Sequence, residues 1–142
     1  MLGPEHPRTL LGRIRVAKVY YEHWRLEEAD QVVTQAIEVL SEVLGENHLD
    51  TITAMCLKSD IHWNQGRYET SAELSEIALD WHLEVLGEDH LWTLQCMHDK
   101  AWSLSFTWEH LNEAAQLNDH VIRTTTQCFG RDHPTSLYIR IM

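Results

Sequence analysis

The chain has 142 residues, and its hydrophobic fraction of 44% is sufficient for a packed core, which argues against an intrinsically disordered segment. Its formal net charge of −11 argues against nucleic acids and anionic membranes as partners, because both attract positive protein surfaces. The same charge favours a basic or polar partner.

One nine-residue motif occurs four times, at intervals of 42, 42 and 43 residues. It reads LGPEHPRTL at 2–10, LGENHLDTI at 44–52, LGEDHLWTL at 86–94 and FGRDHPTSL at 129–137. A period in this range is typical of solenoids built from stacked helical units. We therefore predict one repeat domain, 1–142, that belongs to a longer array; its repeats span about 2–43, 44–85 and 86–128, with a partial repeat at 129–142.

The first repeat predicts two helices, over about 7–23 and about 27–43. Pro7 suits the first helical position, where its missing N–H has no helical partner. Gly45 follows the second helix and can adopt the left-handed conformation that ends a helix. The apolar residues of the second helix recur at i, i+3, i+4 and i+7, which predicts a buried stripe of Ala29, Val32, Val33, Ala36, Ile37 and Leu40.

The second repeat predicts helices over about 49–64 and 68–85, separated by the break Gln65-Gly66-Arg67. The predicted buried stripe of the later helix is Ala72, Ile77, Ala78, Trp81 and Val85.

The third repeat predicts helices over about 91–107 and 111–128. Its break, Trp108-Glu109-His110, lacks glycine, and the repeat as a whole is one residue longer than the one before it. A further helix opens at Pro134, and we expect its first turns to cover the apolar face of the third repeat. Strand signals are absent, so the predicted fold class is all-α.

The linker pattern LGxxHPxTL and the break WNQGRY at 63–68 resemble the tetratricopeptide repeats of the kinesin light chain type. The resemblance implies an α-solenoid of tetratricopeptide-type helical hairpins, with three repeats and a partial fourth. It also implies small residues where the two helices of a repeat cross, and Ala17, Ser59 and Ala101 occupy those positions. Lys58 and Lys100 depart from the family pattern, which has leucine there, and their function stays open.

The resemblance further implies a non-enzymatic module that binds a protein or peptide along a concave groove lined by the first helix of each repeat. Arg15 and Lys18 would hold a carboxylate, Asp60 and Asp99 a partner's basic side chain, and two tryptophans would offer flat apolar platforms. The predicted partner-binding residues are Arg15, Lys18, Tyr21, Cys56, Asp60, Trp63, Asn64, His98, Asp99 and Trp102.

Two other functions compete with groove binding. The first is a structural segment of a larger, NLR-like signalling protein, with end-to-end self-association through apolar helix faces at its two ends. In a remote alternative, Cys56, Asp60, His98 and Asp99 form a nucleophile with an acid–base pair.

The ten histidines do not predict a metal site. The motif histidines, His6, His48, His90 and His133, lie one repeat apart, and we expect each ring to bond the backbone of its own turn. The other six show no HExxH pair or flanking CxxC, and the chain carries no phosphate-binding loop. We therefore predict neither metal nor cofactor.

Three features of the sequence bear on the compartment. The N-terminus has no basic and apolar regions of a signal peptide, and no run approaches the ~18 apolar residues of a membrane helix. The three cysteines show no CxxC spacing and are expected to be reduced. These signals are compatible with the cytosol or the nucleus, and we predict a cytoplasmic location.

Overall fold

Helices occupy most of the chain, in the order that the repeat pattern predicts. The computed structural model describes residues 7–134, and the predicted first turns of a fourth repeat extend beyond this range. The helices are α1 (Pro7–Glu22), α2 (Leu26–Val43), α3 (Leu49–Asn64), α4 (Tyr68–Val85), α5 (Leu91–Leu104) and α6 (Leu111–Phe129), with a 3₁₀ helix at Trp108–His110. They form two compact units that divide between Arg67 and Tyr68.

In the first unit, α2 packs against both α1 and α3. The predicted stripe of α2 is confirmed, because Ala29, Val33, Ala36 and Leu40 are fully buried while Val32 and Ile37 are half-buried. The core that they share with the other two helices includes Leu10, Ile14, Ala17, Ala54 and Ile61.

In the second unit, α5 packs against both α4 and α6. Polar contacts join α4 to α5: the hydroxyls of Ser71 and Ser103 lie 3.2 Å apart, and the Cys96 thiol donates to the carbonyl of Ser75 at 3.4 Å. Each contact satisfies buried polar groups that would otherwise destabilise the interface.

The predicted stripe of α4 is wrong at two positions. Ile77 and Val85 are 50% and 57% exposed, whereas Ser71, Ser75 and His82 are buried. The buried face of α4 therefore includes serine and histidine side chains beside its apolar ones. These polar side chains form hydrogen bonds where the prediction expected apolar contacts. A periodicity argument that counts only apolar residues selects the wrong edge of such a helix.

Small residues occupy the helix crossings, as the family resemblance implies. Ala17, Ser59 and Ala101 are no more than 5% exposed. Each leaves room for a neighbouring backbone to approach, so a larger side chain at these positions would force the helices apart.

The repeated motif forms the joints between helices. The ring nitrogen Nδ1 of His48 accepts the backbone N–H of Asp50 at 3.1 Å, and His90 accepts that of Trp92 at the same distance. Each imidazole thereby caps the first turn of a helix, where backbone N–H groups lack helical partners. The predicted backbone role of these two histidines is confirmed.

The turns inside the repeats differ in their residues. Gly66 has a φ of 81° between α3 and α4, which glycine adopts without steric cost. One repeat earlier, Trp24 holds the equivalent position between α1 and α2 with a φ of 59°, and 71% of its surface is exposed. A tryptophan with positive φ is unfavourable, so the first turn stores local backbone strain.

The predicted end of α5 at Thr107 is wrong, since the helix ends at Leu104. The hydroxyl of Ser105 donates to the carbonyl of Trp102 at 2.6 Å, and that of Thr107 donates to the carbonyl of Leu104 at 2.8 Å. These side chains satisfy carbonyls that further helical turns would otherwise satisfy. The predicted break at Trp108 then forms the 3₁₀ helix.

Candidate functional site

The predicted groove residues of the first unit lie on two successive first helices, α1 and α3. The side-chain amide Nδ2 of Asn64 donates to the hydroxyl of Tyr21 at 3.0 Å, across a sequence separation of 43 residues. The same amide donates to the backbone carbonyl of Asp60 at 2.8 Å. The bonds orient Asn64 and bring α1 and α3 together at their C-terminal ends.

Charged and aromatic side chains share this surface, which we call the α1–α3 face. The residues that form this face are spaced along each helix so that they lie on one side of it. Arg15, Lys18 and Asp60 are exposed, whereas the other members are half-buried. The α1–α3 face consists of Arg15, Lys18, Tyr21, Cys56, Asp60, Trp63 and Asn64.

A carboxylate on α2 fixes the position of α3 beneath this face. Oδ1 of Asp30 accepts a hydrogen bond from Nε2 of the buried His62 at 3.1 Å, and its Oδ2 lies 3.8 Å from the guanidinium of Arg67. Nearby, Nε2 of Gln65 donates to Glu27 at 3.1 Å. The sequence pattern did not predict these contacts, because the two residues that form each contact lie about one repeat apart in the chain and share no motif.

Of the predicted site residues on α5, His98 is buried and Asp99 is half-buried. His98 is 3% exposed, and burial lowers the pKa of its imidazole while a hydrogen bond with Asn118 raises it in part. Burial raises the pKa of Asp99 to about 6, and the hydrogen bond from Nε2 of Gln95, 3.0 Å long, opposes the rise. Removal from water disfavours the charged form of both side chains.

Trp102 lines a cavity of about 270 Å³ between α5 and α6. Its walls also include His98, Ala101, Ala114 and Asn118. The repeat equivalents of these four residues in the first unit are Ile14, Ala17, Ala29 and Val33, which belong to the core beneath α3. The cavity therefore lies at the repeat position where the first helix of a following repeat packs.

The residues of the enzymatic alternative divide between the units. Cys56 and Asp60 lie in the first, and His98 and Asp99 in the second. Within neither unit does the structure combine the thiol with the imidazole. Among residues 7–134, no group of three or more histidine, cysteine, aspartate or glutamate side chains is arranged to hold a metal ion.

Lys100, whose role the sequence left open, is a buried lysine held by glutamates. Its Nζ lies 3.6 Å from Oε1 of Glu76 on α4 and 3.5 Å from Oε1 of Glu113 on α6. The ammonium thus links the two helices that flank α5.

Comparison with known proteins identifies the family. Models of the tetratricopeptide repeat match residues 56–127 and residues 9–50. The chain belongs to the tetratricopeptide repeat family. Such repeats are generally protein–protein interaction modules and form a non-enzymatic scaffold family. No curated protein sequence matches the chain significantly.

Solved structures share the fold of this tetratricopeptide repeat protein. Two are of a Podosopora anserina protein described as a kinesin light chain with nearly identical TPR-like repeats, one of them a variant. They have TM-scores of 0.85 and 0.84 at 20% sequence identity, and in each case 99% of this chain aligns with 66% of the other. BtubC of P. vanneervenii has a TM-score of 0.82 at 13% identity, with 94% of this chain and 53% of BtubC aligned.

These matches confirm the predicted fold class, an all-α tetratricopeptide-type solenoid. The chain spans 66% of the length of the Podosopora protein and 53% of the length of BtubC. No helix within residues 7–134 has the length and apolarity needed to cross a membrane.

Proposed function

We propose that this tetratricopeptide repeat protein binds an extended or helical peptide segment of a partner through the first helices of its repeats, with the α1–α3 face as one part of the site. The observation that carries the proposal is the hydrogen bond between Asn64 and Tyr21, 3.0 Å long, which joins predicted binding residues from two successive first helices.

The chemistry of the α1–α3 face suits a peptide with mixed charge. Arg15 and Lys18 are exposed one helical turn apart and are available to a carboxylate. Asp60 offers the opposite charge on α3. Half-buried Tyr21 and Trp63 supply rigid aromatic surface at a low cost in conformational entropy, which is why such residues are frequent at binding hot spots.

The experiment uses peptides selected from a random phage-displayed library against the unmodified protein. We expect Trp63→Ala to weaken the binding of these peptides about tenfold, and Lys18→Ala or Asp60→Ala to weaken it about fivefold. Fluorescence anisotropy of labelled peptides measures each affinity, and circular dichroism confirms that each variant remains helical.

Gln35→Ala and Glu38→Ala provide matched controls, because both residues are exposed on α2, outside the α1–α3 face. Affinities that stay within about twofold of the unmodified protein are expected for these controls. Selected peptides that bind all the α1–α3 variants as tightly as the original would show that the face is not the binding site.

A second candidate function is end-to-end association, and the outer side of α1 favours it. Val16 and Val19 are 47% and 52% exposed there. Their repeat equivalents on α5, Lys100 and Ser103, are buried, and Ser103 contacts Ser71 on α4. The outer side of α1 is thus a helix-packing surface that another helix, including one from a second copy, can cover.

Sedimentation over a range of protein concentrations tests this second function. The expected result is a mass that rises with concentration for the unmodified protein and stays monomeric for Val19→Glu, because a buried carboxylate opposes packing. A strictly monomeric profile for the unmodified protein at high concentration contradicts end-to-end association.

A further inference from the structure

The turn between α5 and α6 presents large apolar side chains to solvent. Trp108 is 90% exposed, Phe106 is 47% exposed and Leu111 is 41% exposed. The ring of Phe106 stacks on Tyr68 with their centroids 4.7 Å apart and meets Trp102 edge-on at 5.6 Å. We call Tyr68, Phe106, Trp108 and Leu111 the aromatic turn. The ring contacts hold Phe106 in place while Trp108 projects into water.

Core packing does not explain Trp108. With 90% of its surface exposed, the indole contributes little apolar burial to the second unit. Counted from the repeated motif, the equivalent position of the preceding repeat is Gly66, so the repeat does not require a large side chain at this position. A group of exposed apolar side chains at one turn is characteristic of a surface that a partner covers.

The charges beside the aromatic turn indicate the partner's chemistry. A cavity of about 340 Å³ adjoins the turn, and residues next to Tyr68 and Trp108 in the chain contribute to its wall. Five of its side chains are glutamates, and its basic side chains are Lys100 and His110. The glutamates are Glu69, Glu73, Glu76, Glu109 and Glu113.

The pairing inside the cavity leaves negative charge unneutralised. Lys100 lies between Glu76 and Glu113, and Nδ1 of His110 is 3.4 Å from Oε2 of Glu113. Within residues 7–134, the other three glutamates of the cavity form no ion pair. Those three carboxylates are oriented around the cavity that adjoins the exposed aromatic rings.

We propose that the aromatic turn docks a basic segment of a partner protein, with an arginine or lysine side chain entering the glutamate-lined cavity and the adjoining residues covering Trp108 and Phe106. Arginine fits this combination because its guanidinium pairs with carboxylates and stacks on aromatic rings. An acidic or phosphorylated segment would meet like charge at the same place.

This surface is separate from the α1–α3 face, the part of the proposed peptide site that the variants above test. Its residues all belong to the second unit, and the α1–α3 face belongs entirely to the first. Loss of binding at one surface therefore does not require loss at the other. The variants below consequently separate the failure of this proposal from the failure of the peptide-binding proposal.

The test uses two short fluorescein-labelled peptides of glycine, leucine and one charged residue, arginine in the first and glutamate in the second. We expect the arginine peptide to bind and the glutamate peptide not to bind. Trp108→Ala should weaken the binding of the arginine peptide about tenfold, and the pair Glu69→Gln with Glu109→Gln should have a similar effect. Anisotropy at physiological ionic strength of about 0.15 M limits diffuse attraction.

Matched controls exist in the first unit. Trp24 occupies the same repeat position as Trp108 and is also exposed, but Arg25 follows it where Glu109 follows Trp108. The pair Glu38→Gln with Glu42→Gln removes as much negative charge from the exposed side of α2. Trp24→Ala and this pair should leave the affinity for the arginine peptide within about twofold.

Four outcomes would overturn the proposal. The arginine peptide fails to bind, or the glutamate peptide binds equally well. The controls weaken binding as much as the variants of the aromatic turn, which indicates attraction to the net charge of −11 rather than docking. Alternatively, sedimentation detects a dimer that Trp108→Ala dissociates, in which case a second copy of the chain covers the aromatic turn.

Discussion

Replacing Ile61 with alanine is expected to lower the free energy of unfolding by about 3 kcal/mol, whereas Ile77→Ala should change it by less than about 0.5 kcal/mol. Ile61 is fully buried in the core of the first unit, and its removal leaves a cavity that the neighbouring helices can fill only in part. Ile77 is 50% exposed on α4, so its loss removes few contacts.

The pair is informative because the chemical change is the same at both positions. Both residues lie inside helices, so the gain in helix propensity on changing isoleucine to alanine is shared. Urea denaturation followed by circular dichroism measures each free energy of unfolding. The comparison is valid when the slope of this free energy against urea concentration is the same for both variants and the unmodified protein. Equal losses at the two positions would contradict the assignment of the buried face of α4.

Asp99→Asn is expected to stabilise the protein by about 1 to 3 kcal/mol at pH 7 and to have little effect near pH 4. Burial raises the pKa of Asp99 from its ordinary 3.8 to about 6. The folded state therefore binds more protons than the unfolded state between these pH values. The contribution of Asp99 to stability is therefore complete below pH 3.8 and declines as the pH rises toward 6. Above about pH 6 the contribution stays reduced.

Asparagine removes this penalty because it does not ionise, and its side-chain oxygen can still accept the hydrogen bond from Gln95. Urea midpoints of the two proteins measured at several pH values give the difference directly, since other titrating groups contribute equally to both. Asp80→Asn, at an exposed position of α4, serves as a control and should alter stability by less than about 0.5 kcal/mol. A stability difference between the unmodified protein and Asp99→Asn that is constant with pH would contradict the explanation.

If Asp99→Asn stabilises the protein, the carboxyl of Asp99 lowers stability, which favours a role for it in binding. Ionisable groups with strongly perturbed pKa values cluster at binding and catalytic sites, and they also occur in structural networks. Asp99 was among the predicted partner-binding residues, assigned to a basic side chain of the partner. An approaching cation would restore the ordinary preference of this carboxyl for its charged form, so binding there would release a proton at pH values near 6.

The repeat pattern determined how much of the fold the sequence could predict. The bounds of α3 and α4 agree with the prediction at both ends, because a motif or a glycine marks each boundary. The end of α5 was not predictable in this way, since hydroxyl groups of Ser105 and Thr107 end it without any glycine. Local side-chain hydrogen bonds of this kind are available to many serines and threonines that lie inside helices.

The candidate site was less predictable than the fold. Helical spacing correctly grouped Tyr21 and Asn64 on first helices, but it carries no information on which side chains meet across helices. The burial of His98 and the pairing of Lys100 with Glu76 and Glu113 depend on such contacts. The exposure of Trp108 was equally hidden, because composition alone favours a packing role for tryptophan.

The extra residue between α5 and α6 shows how such an array can diversify. The longer turn leaves the next helix in phase, since Ala114 is buried like Ala29 of the first repeat, at 5% and 0% exposure. One extra residue at this edge therefore leaves the buried face of α6 in place. Evolution, or a designer grafting a recognition loop, can change the chemistry of one turn at a time while the scaffold keeps its geometry.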